Sequence, residues 1–195
     1  MRHLLILPLM VITFTGCQQP TAPVVGNEKI EPAPEMRLLE KFVGTWEESG
    51  RIVEPTPEQI RAGLKEGQEM PPTTWTGGNT ADFTLDGMYL RTEGWAGLPD
   101  GGKMKFVEYK TWDRQAQKFR MTWFGNDGTW GNGWMTADPD GRTFDVSATG
   151  WDVHGTKKTW TGSFTFTGNN SAKWDWVEKG PSGMMKMEGE NKRQI

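Results

Sequence analysis

Residues 158–170 read KTWTGSFTFTGNN. Trp160, Gly162, Phe164 and Phe166 alternate with Thr159, Thr161, Ser163, Thr165 and Thr167, and Gly168-Asn169-Asn170 follows. Successive side chains of a strand point to opposite faces, so one apolar and one hydroxyl face at a period of two mark a half-buried strand. The glycine and asparagines supply the positive φ of a tight hairpin. The same alternation recurs on the N-terminal side. Phe119, Met121 and Trp123 alternate with Lys118, Arg120 and Thr122; Phe144, Val146 and Ala148 share one face, as do Trp130, Asn132 and Trp134.

Turn signals separate these runs: Pro99-Asp100-Gly101-Gly102, Asn126-Asp127-Gly128, Asp138-Pro139-Asp140-Gly141 and Lys179-Gly180-Pro181. The spacing predicts about eight to ten antiparallel strands from near Val43 to near Glu190, joined mostly by short hairpins. The fold class is all-β. A meander of that many strands closes into a barrel, which removes exposed edges; an open sandwich is the alternative. Composition agrees, with 25 glycines and 11 tryptophans but few leucines beyond residue 40.

Two short helices interrupt the pattern. Residues 36–43 place Leu38, Leu39, Phe42 and Val43 on one side, and Gly44 stops them. Thr56-Pro57-Glu58-Gln59 reads as an N-cap, a first-turn proline and a reciprocal glutamine. Ile60 and Leu64 then make one apolar stripe, and Gly67 ends it. This second helix falls in an insertion, 54–72, placed to act as a lid over a barrel mouth.

The front of the chain carries an address. Arg2 and His3 precede an apolar run, Leu4 to Phe14, that is shorter than the ~20 residues a helix needs to cross a bilayer. Such a run fits a signal peptide. Thr15 and Gly16 follow, then Cys17, the one cysteine of the chain. The arrangement resembles the lipobox of bacterial lipoproteins, with Phe14 where that pattern usually has leucine. The resemblance implies cleavage after residue 16 and lipid on Cys17, leaving the protein on a bacterial membrane and facing the periplasm or the surface. Gln18 favours the outer membrane where there are two. Several acyl chains on one residue hold far more firmly than one. Residues 17–35, with Pro20, Pro23, Pro32 and Pro34, read as an extended tether, and residues 36–195 as a single barrel domain.

The formal net charge is −3. A mildly acidic chain without a basic block lacks the electrostatic footprint of a nucleic-acid binder.

A family resemblance rests on LLEKFVGTWEESG (38–50), LDGMYLRTEGWAG (85–97), KFRMTWFGNDGT (118–129), DPDGRTF (138–144) and MKMEGENKR (185–193). In this order they resemble the bacterial domain-of-unknown-function 1579 family, over roughly residues 38 to 193. The first motif looks like the start of a lipocalin-like barrel. The resemblance implies a calycin-like barrel, a group that often binds small apolar ligands, and no established activity.

Chemistry is sparse in the residues. Beyond residue 16 the one histidine is His154, in the apparent turn Val153-His154-Gly155. That excludes a histidine-based triad and a multi-histidine zinc site. No cofactor is indicated, since a turn histidine beside glycine suits a solvated residue better than a haem ligand. Gly125, Gly128, Gly131 and Gly133 lack the helix N-terminus that a phosphate loop needs. Asp138-x-Asp140-Gly141 reads as a turn, lacking the other ligands of a calcium loop. Glu93, Glu108, Asp145, Asp175 and Glu178 lie on predicted strands and could pair for glycoside hydrolysis, but their convergence is not legible.

The tryptophans remain. Each buries about 150–250 Å² and can fill a core. Their excess suggests a ligand pocket lined by Trp46, Trp123, Trp134, Trp160 and Phe164, with Arg91 and Asn132 as polar partners. The expected function is a lipid-anchored barrel taking a small, partly apolar ligand. A solid barrel acting through protein contacts is the alternative, and carbohydrate binding the third.

Overall fold

The computed structural model describes residues 30–97 and 101–195. Two units divide the chain, Met1–Ile30 and Glu31–Ile195. The expected signal segment, Cys17 and most of the tether lie outside the described residues.

The second unit is a closed barrel of ten antiparallel strands. They are β1 (Gly44–Glu54), β2 (Thr74–Thr84), β3 (Tyr89–Gly97), β4 (Lys103–Asp113) and β5 (Lys118–Gly125). β6 (Trp130–Ala137), β7 (Thr143–Trp151), β8 (Lys157–Gly168), β9 (Ser171–Gly180) and β10 (Gly183–Arg193) complete it. Each strand pairs with its neighbours in sequence, and β10 pairs with β1 to close the ring. The hairpins at 126–128, 138–141, 168–170 and 180–183 fall where the turn signals put them.

The aspartates of three hairpins cap their own loops. Asp138 accepts from the backbone N–H of Arg142 (2.7 Å) and Thr143 (3.0 Å), the turn geometry expected of Asp138-Pro139-Asp140-Gly141. Asp113 accepts from Gln115 and Ala116, and Asp152 from His154 and Thr156. These bonds hold all three carboxyls below the usual aspartate range, led by the backbone N–H groups of Ala116, Thr143 and Thr156.

One end of the barrel is plugged. The leading helix, Pro34–Phe42, is a 3₁₀ helix of nine residues. Its sequence carries the reason. Ala33, Met36, Leu39 and Phe42 turn inward at intervals of three, the residue count of a 3₁₀ turn. This differs from the expected side made of Leu38, Leu39, Phe42 and Val43. The second unit begins at Glu31, and Ala33 is buried in it. Phe42 meets Phe144, Phe164 and Phe166 with ring centroids 4.9, 5.1 and 5.0 Å away. Lys41 Nζ donates to Asp140 O (2.7 Å), and Arg193 Nη2 to Lys41 O (2.7 Å), tying the plug to the rim. The core lies here: Leu39, Leu90, Phe119 and Phe144 are fully buried.

The helix α1 (Pro57–Ala62) sits in the β1–β2 connection, at the opposite end. Thr56 and Gln59 form both halves of the capping box. It ends at Gly63, earlier than expected, and none of its residues is buried. Among the described residues no helix is long and apolar enough to cross a membrane.

Candidate functional site

Register assigns every strand residue to a face. Trp46, Glu48, Gly50 and Ile52 point inward from β1; opposite them on β10 stand Arg193, Asn191, Gly189 and Met187. Carrying the pairing around the ring puts Trp75, Phe106, Trp123, Trp160, Trp174 and Trp176 on the inner wall.

These aromatics share one device. Five of them stand directly opposite a glycine on the adjacent strand: Trp75 and Gly50, Phe106 and Gly94, Trp123 and Gly131, Trp174 and Gly189, Trp176 and Gly162. A Cβ at Gly131 would lie 2.1 Å from the Trp123 ring, and one at Gly189 2.3 Å from Trp174. The rings therefore lie over their glycines, along the wall. Trp75 and Trp174 reach across from β2 and β9 and stack at 5.8 Å over the Gly50–Gly189 pair. Trp123 meets Trp160 edge to face at 5.7 Å.

Away from the plug, Trp75, Phe106, Trp123, Trp160, Trp176, Met185 and Met187 face inward and are only partly buried. The plugged half holds the fully buried residues, and the inner side chains of the mouth half are only partly buried.

Polar groups punctuate the wall. Glu178 accepts from Trp160 Nε1 (2.9 Å) and Lys158 Nζ (2.8 Å). Lys110 pairs with Glu108, both nearly buried, and its ammonium lies 5.6 Å from the Phe42 ring centroid. Glu48 accepts from the Trp75 side chain, and burial pushes its carboxyl above the usual glutamate range. Among the described residues Asn191 Oδ1, Trp174 Nε1 and Arg193 Nε are buried without partners.

The expected site residues divide. Trp123, Trp160 and Phe164 are on the inner wall, Phe164 against the plug. Trp46 also points inward but is buried at the plugged end, away from the open half. Arg91, Asn132 and Trp134 stand on the outer face, so the pocket expected from them is not assembled. Arg91 pairs with Glu93, and the Arg120 guanidinium lies over Trp134 at 4.8 Å. The reason is Gly131 and Gly133. The glycines of β6 face inward because Trp123 and Ala148 occupy the space their side chains would need. Of the five carboxylates considered, Glu108 and Glu178 face inward, while Glu93, Asp145 and Asp175 face outward. Sequence reasoning missed Trp75, Phe106, Trp174, Trp176 and Glu48. The signal available was the period of two counted on from Trp46 and the matching of aromatics with glycines.

The outer wall bears a shallow groove of ≈ 870 Å³ over β8, β9, β10, β1 and β2. Arg51 and Glu188 pair within it. Beside the mouth, Phe124, Trp130 and Trp151 form a row across β5, β6 and β7, and Trp130 stacks on Trp151 at 4.4 Å.

Residues 31–193 match the family described as "Protein of unknown function (DUF1579)". The chain belongs to the DUF1579 family. No curated protein matches it. Among solved structures this DUF1579 chain is similar to Rv2717c from M. tuberculosis, with TM-score 0.60 and 10% identity over 85% of this chain and 100% of that one. It is also similar to the S-type phycobiliprotein lyase CPES from Guillardia theta, with TM-score 0.50 and 10% identity over 82% and 92%. At such identities the likeness is one of fold.

Proposed function

We propose that this DUF1579 chain is a binding protein that takes a small, partly apolar ligand into the mouth half of its barrel. The observation that carries the reading is the inner wall, where indoles laid along glycines leave inward-facing aromatic surface only partly buried. Apolar pockets with a few fixed polar groups are the usual form of a small-molecule site. Native mass spectrometry of the purified chain, with tryptophan emission titrated against fatty acids and aromatic dyes, tests it. Saturable binding that shifts the emission is expected. No saturable binding across the panel would favour a solid barrel acting through its outer face.

The same proposal includes the anchor. Cys17 carries lipid, and the barrel works outside the cytoplasm on a bacterial membrane, the outer one where there are two. The short apolar run and the small residues before Cys17 support this. Cys17→Ser should abolish fatty-acid labelling and release the protein from membranes; unchanged membrane association would refute it.

One observation favours a second reading, contact through the outer face with a sugar or a protein. Phe124 is 50% and Trp130 44% exposed, side by side. Trp130→Ala with Phe124→Ser would remove such contact while leaving lumen binding intact.

A further inference from the structure

We infer that the lumen ligand carries an ammonium group, which Glu48 receives against the wall made by Trp75 and Trp174. This rests on the lumen-binding reading and names the chemistry of its ligand. Glu48 faces inward, half-buried, between Gly77 of β2 and Asn191 of β10. Its protein partner is the Trp75 side chain, a neutral donor.

The inward lysines are paired with carboxylates of their own. Lys110 is held by Glu108, and Lys158 by Glu178. Arg193, two residues beyond Asn191 on the same inner face, turns toward the plug, where its guanidinium lies over the Trp46 ring at 4.6 Å and donates to Lys41 O, while its Nε is buried without a partner. Among the described residues Glu48 is thus an inward carboxylate that no cation neutralises. A second observation points the same way. Asn191, directly opposite on β10, is 4% exposed, and its side-chain oxygen has no partner. Two acceptors side by side call for a donor. A buried carboxylate is costly unless a charge answers it, so the complementary donor is a cation.

The walls agree with the charge. Trp75 and Trp174 stack beside Glu48's strand, over Gly50 and Gly189. Indole faces attract cations and are the best of the aromatic rings at it. An apolar body along Trp123, Trp160 and Trp176, with its ammonium at Glu48, would meet both features of the lumen. Lys158 and Lys110 are paired with Glu178 and Glu108, and the remaining inward cation, Arg193, is directed at the plug, over Trp46 and onto Lys41 O.

The test uses the full chain and three probes of one shape: 4-phenylbutylammonium, 4-phenylbutanol and 5-phenylvalerate. Calorimetry or tryptophan emission should show the ammonium binding at least about tenfold more tightly than the alcohol, about 1.4 kcal/mol, and the carboxylate weakest. Glu48→Gln, nearly isosteric, should erase the preference for the ammonium over the alcohol. Asn191→Asp, which adds a carboxylate at the same place, should strengthen ammonium binding, and it decides the matter if Glu48→Gln fails to fold. Equal binding of alcohol and ammonium, or a preference that survives Glu48→Gln, overturns the inference while leaving lumen binding in place. If none of the three probes binds, the lumen reading itself falls and takes this inference with it.

Discussion

The Trp46 indole donates its N–H to the carbonyl oxygen of Phe42 at 2.8 Å. This bond joins the first strand to the end of the plug helix, where the last carbonyls have no partner of their own. Trp46 is 3% exposed, and the Arg193 guanidinium covers its ring. Trp46→Ala should cost about 3–5 kcal/mol, as for other large truncations in a core. Urea titration measures it. A loss below about 1 kcal/mol, the scale of an ordinary surface change, would show that the plugged end does not depend on this residue.

Gly131 and Trp123 are a second pair open to test. A methyl group at Gly131 would collide with the indole and approach Thr149 O to 2.7 Å. Gly131→Ala should destabilise by about 1–3 kcal/mol, the usual cost of overpacking. Combined with Trp123→Ala, the two losses should sum to clearly more than the double mutant shows, because both act on one contact. Strict additivity in a denaturant series would mean that ring and glycine are independent.

Acid should act on this protein in two opposed ways. Burial raises the Glu48 carboxyl above its ordinary value of 4.5. A raised carboxyl favours the folded state while protonated, and that stability is lost as pH climbs through its folded value. Glu48→Gln should therefore melt higher than the parent chain at neutral pH, with the gap closing in acid below 4.5. The capping carboxyls Asp113, Asp138 and Asp152 are lowered instead, so their contribution is present above 3.8 and disappears as pH falls further. Asp138→Asn should flatten that acid limb. A melting series from pH 2 to pH 8, at about one-unit steps, checks both signs. A Glu48→Gln gap that widens in acid would refute the first.

The helix α1 has no buried residue, so little holds it beyond its capping box. Its amides should exchange with solvent far faster than those of β8 and β9. Deleting residues 56–70 from the β1–β2 connection should leave the melting temperature within a few degrees and, if the segment covers the mouth, alter the rate at which probes enter. Hydrogen exchange by mass spectrometry reads the first and stopped-flow emission the second. Barrel-like protection across 57–62 would show that the helix is docked.

The barrel was legible because alternation is a local property. Trp160, Gly162, Phe164 and Phe166 show their common face without any knowledge of neighbours, and the turn residues mark where each run ends. Which face is the inner one is not local. Trp130, Asn132 and Trp134 look like a pocket wall on β6, yet the inner positions are Gly131 and Gly133, whose space is occupied by Trp123 and Ala148. An empty side chain gains its meaning only from the strand beside it, and register is not written in either strand alone. The plug helix failed differently. Leu38 and Val43 are apolar and suit an α-helical stripe, but Pro34 starts the segment early and its inward residues step by three.

The ring closes where Trp46 faces Arg193, between the first strand and the last. Until residues 183–193 leave the ribosome, β1 and β9 each present an unpaired edge, and the plug has only part of its rim. Open edges invite pairing with other chains. A chain whose final contacts join its two ends must also meet the entropy of the largest loop before it gains from them. Loss of the last strand would therefore not shorten the barrel but open it, exposing a sticky sheet lined with indoles. Fusions and tags on this side belong beyond Gln194, which bonds to Thr45 and Glu47 across the seam.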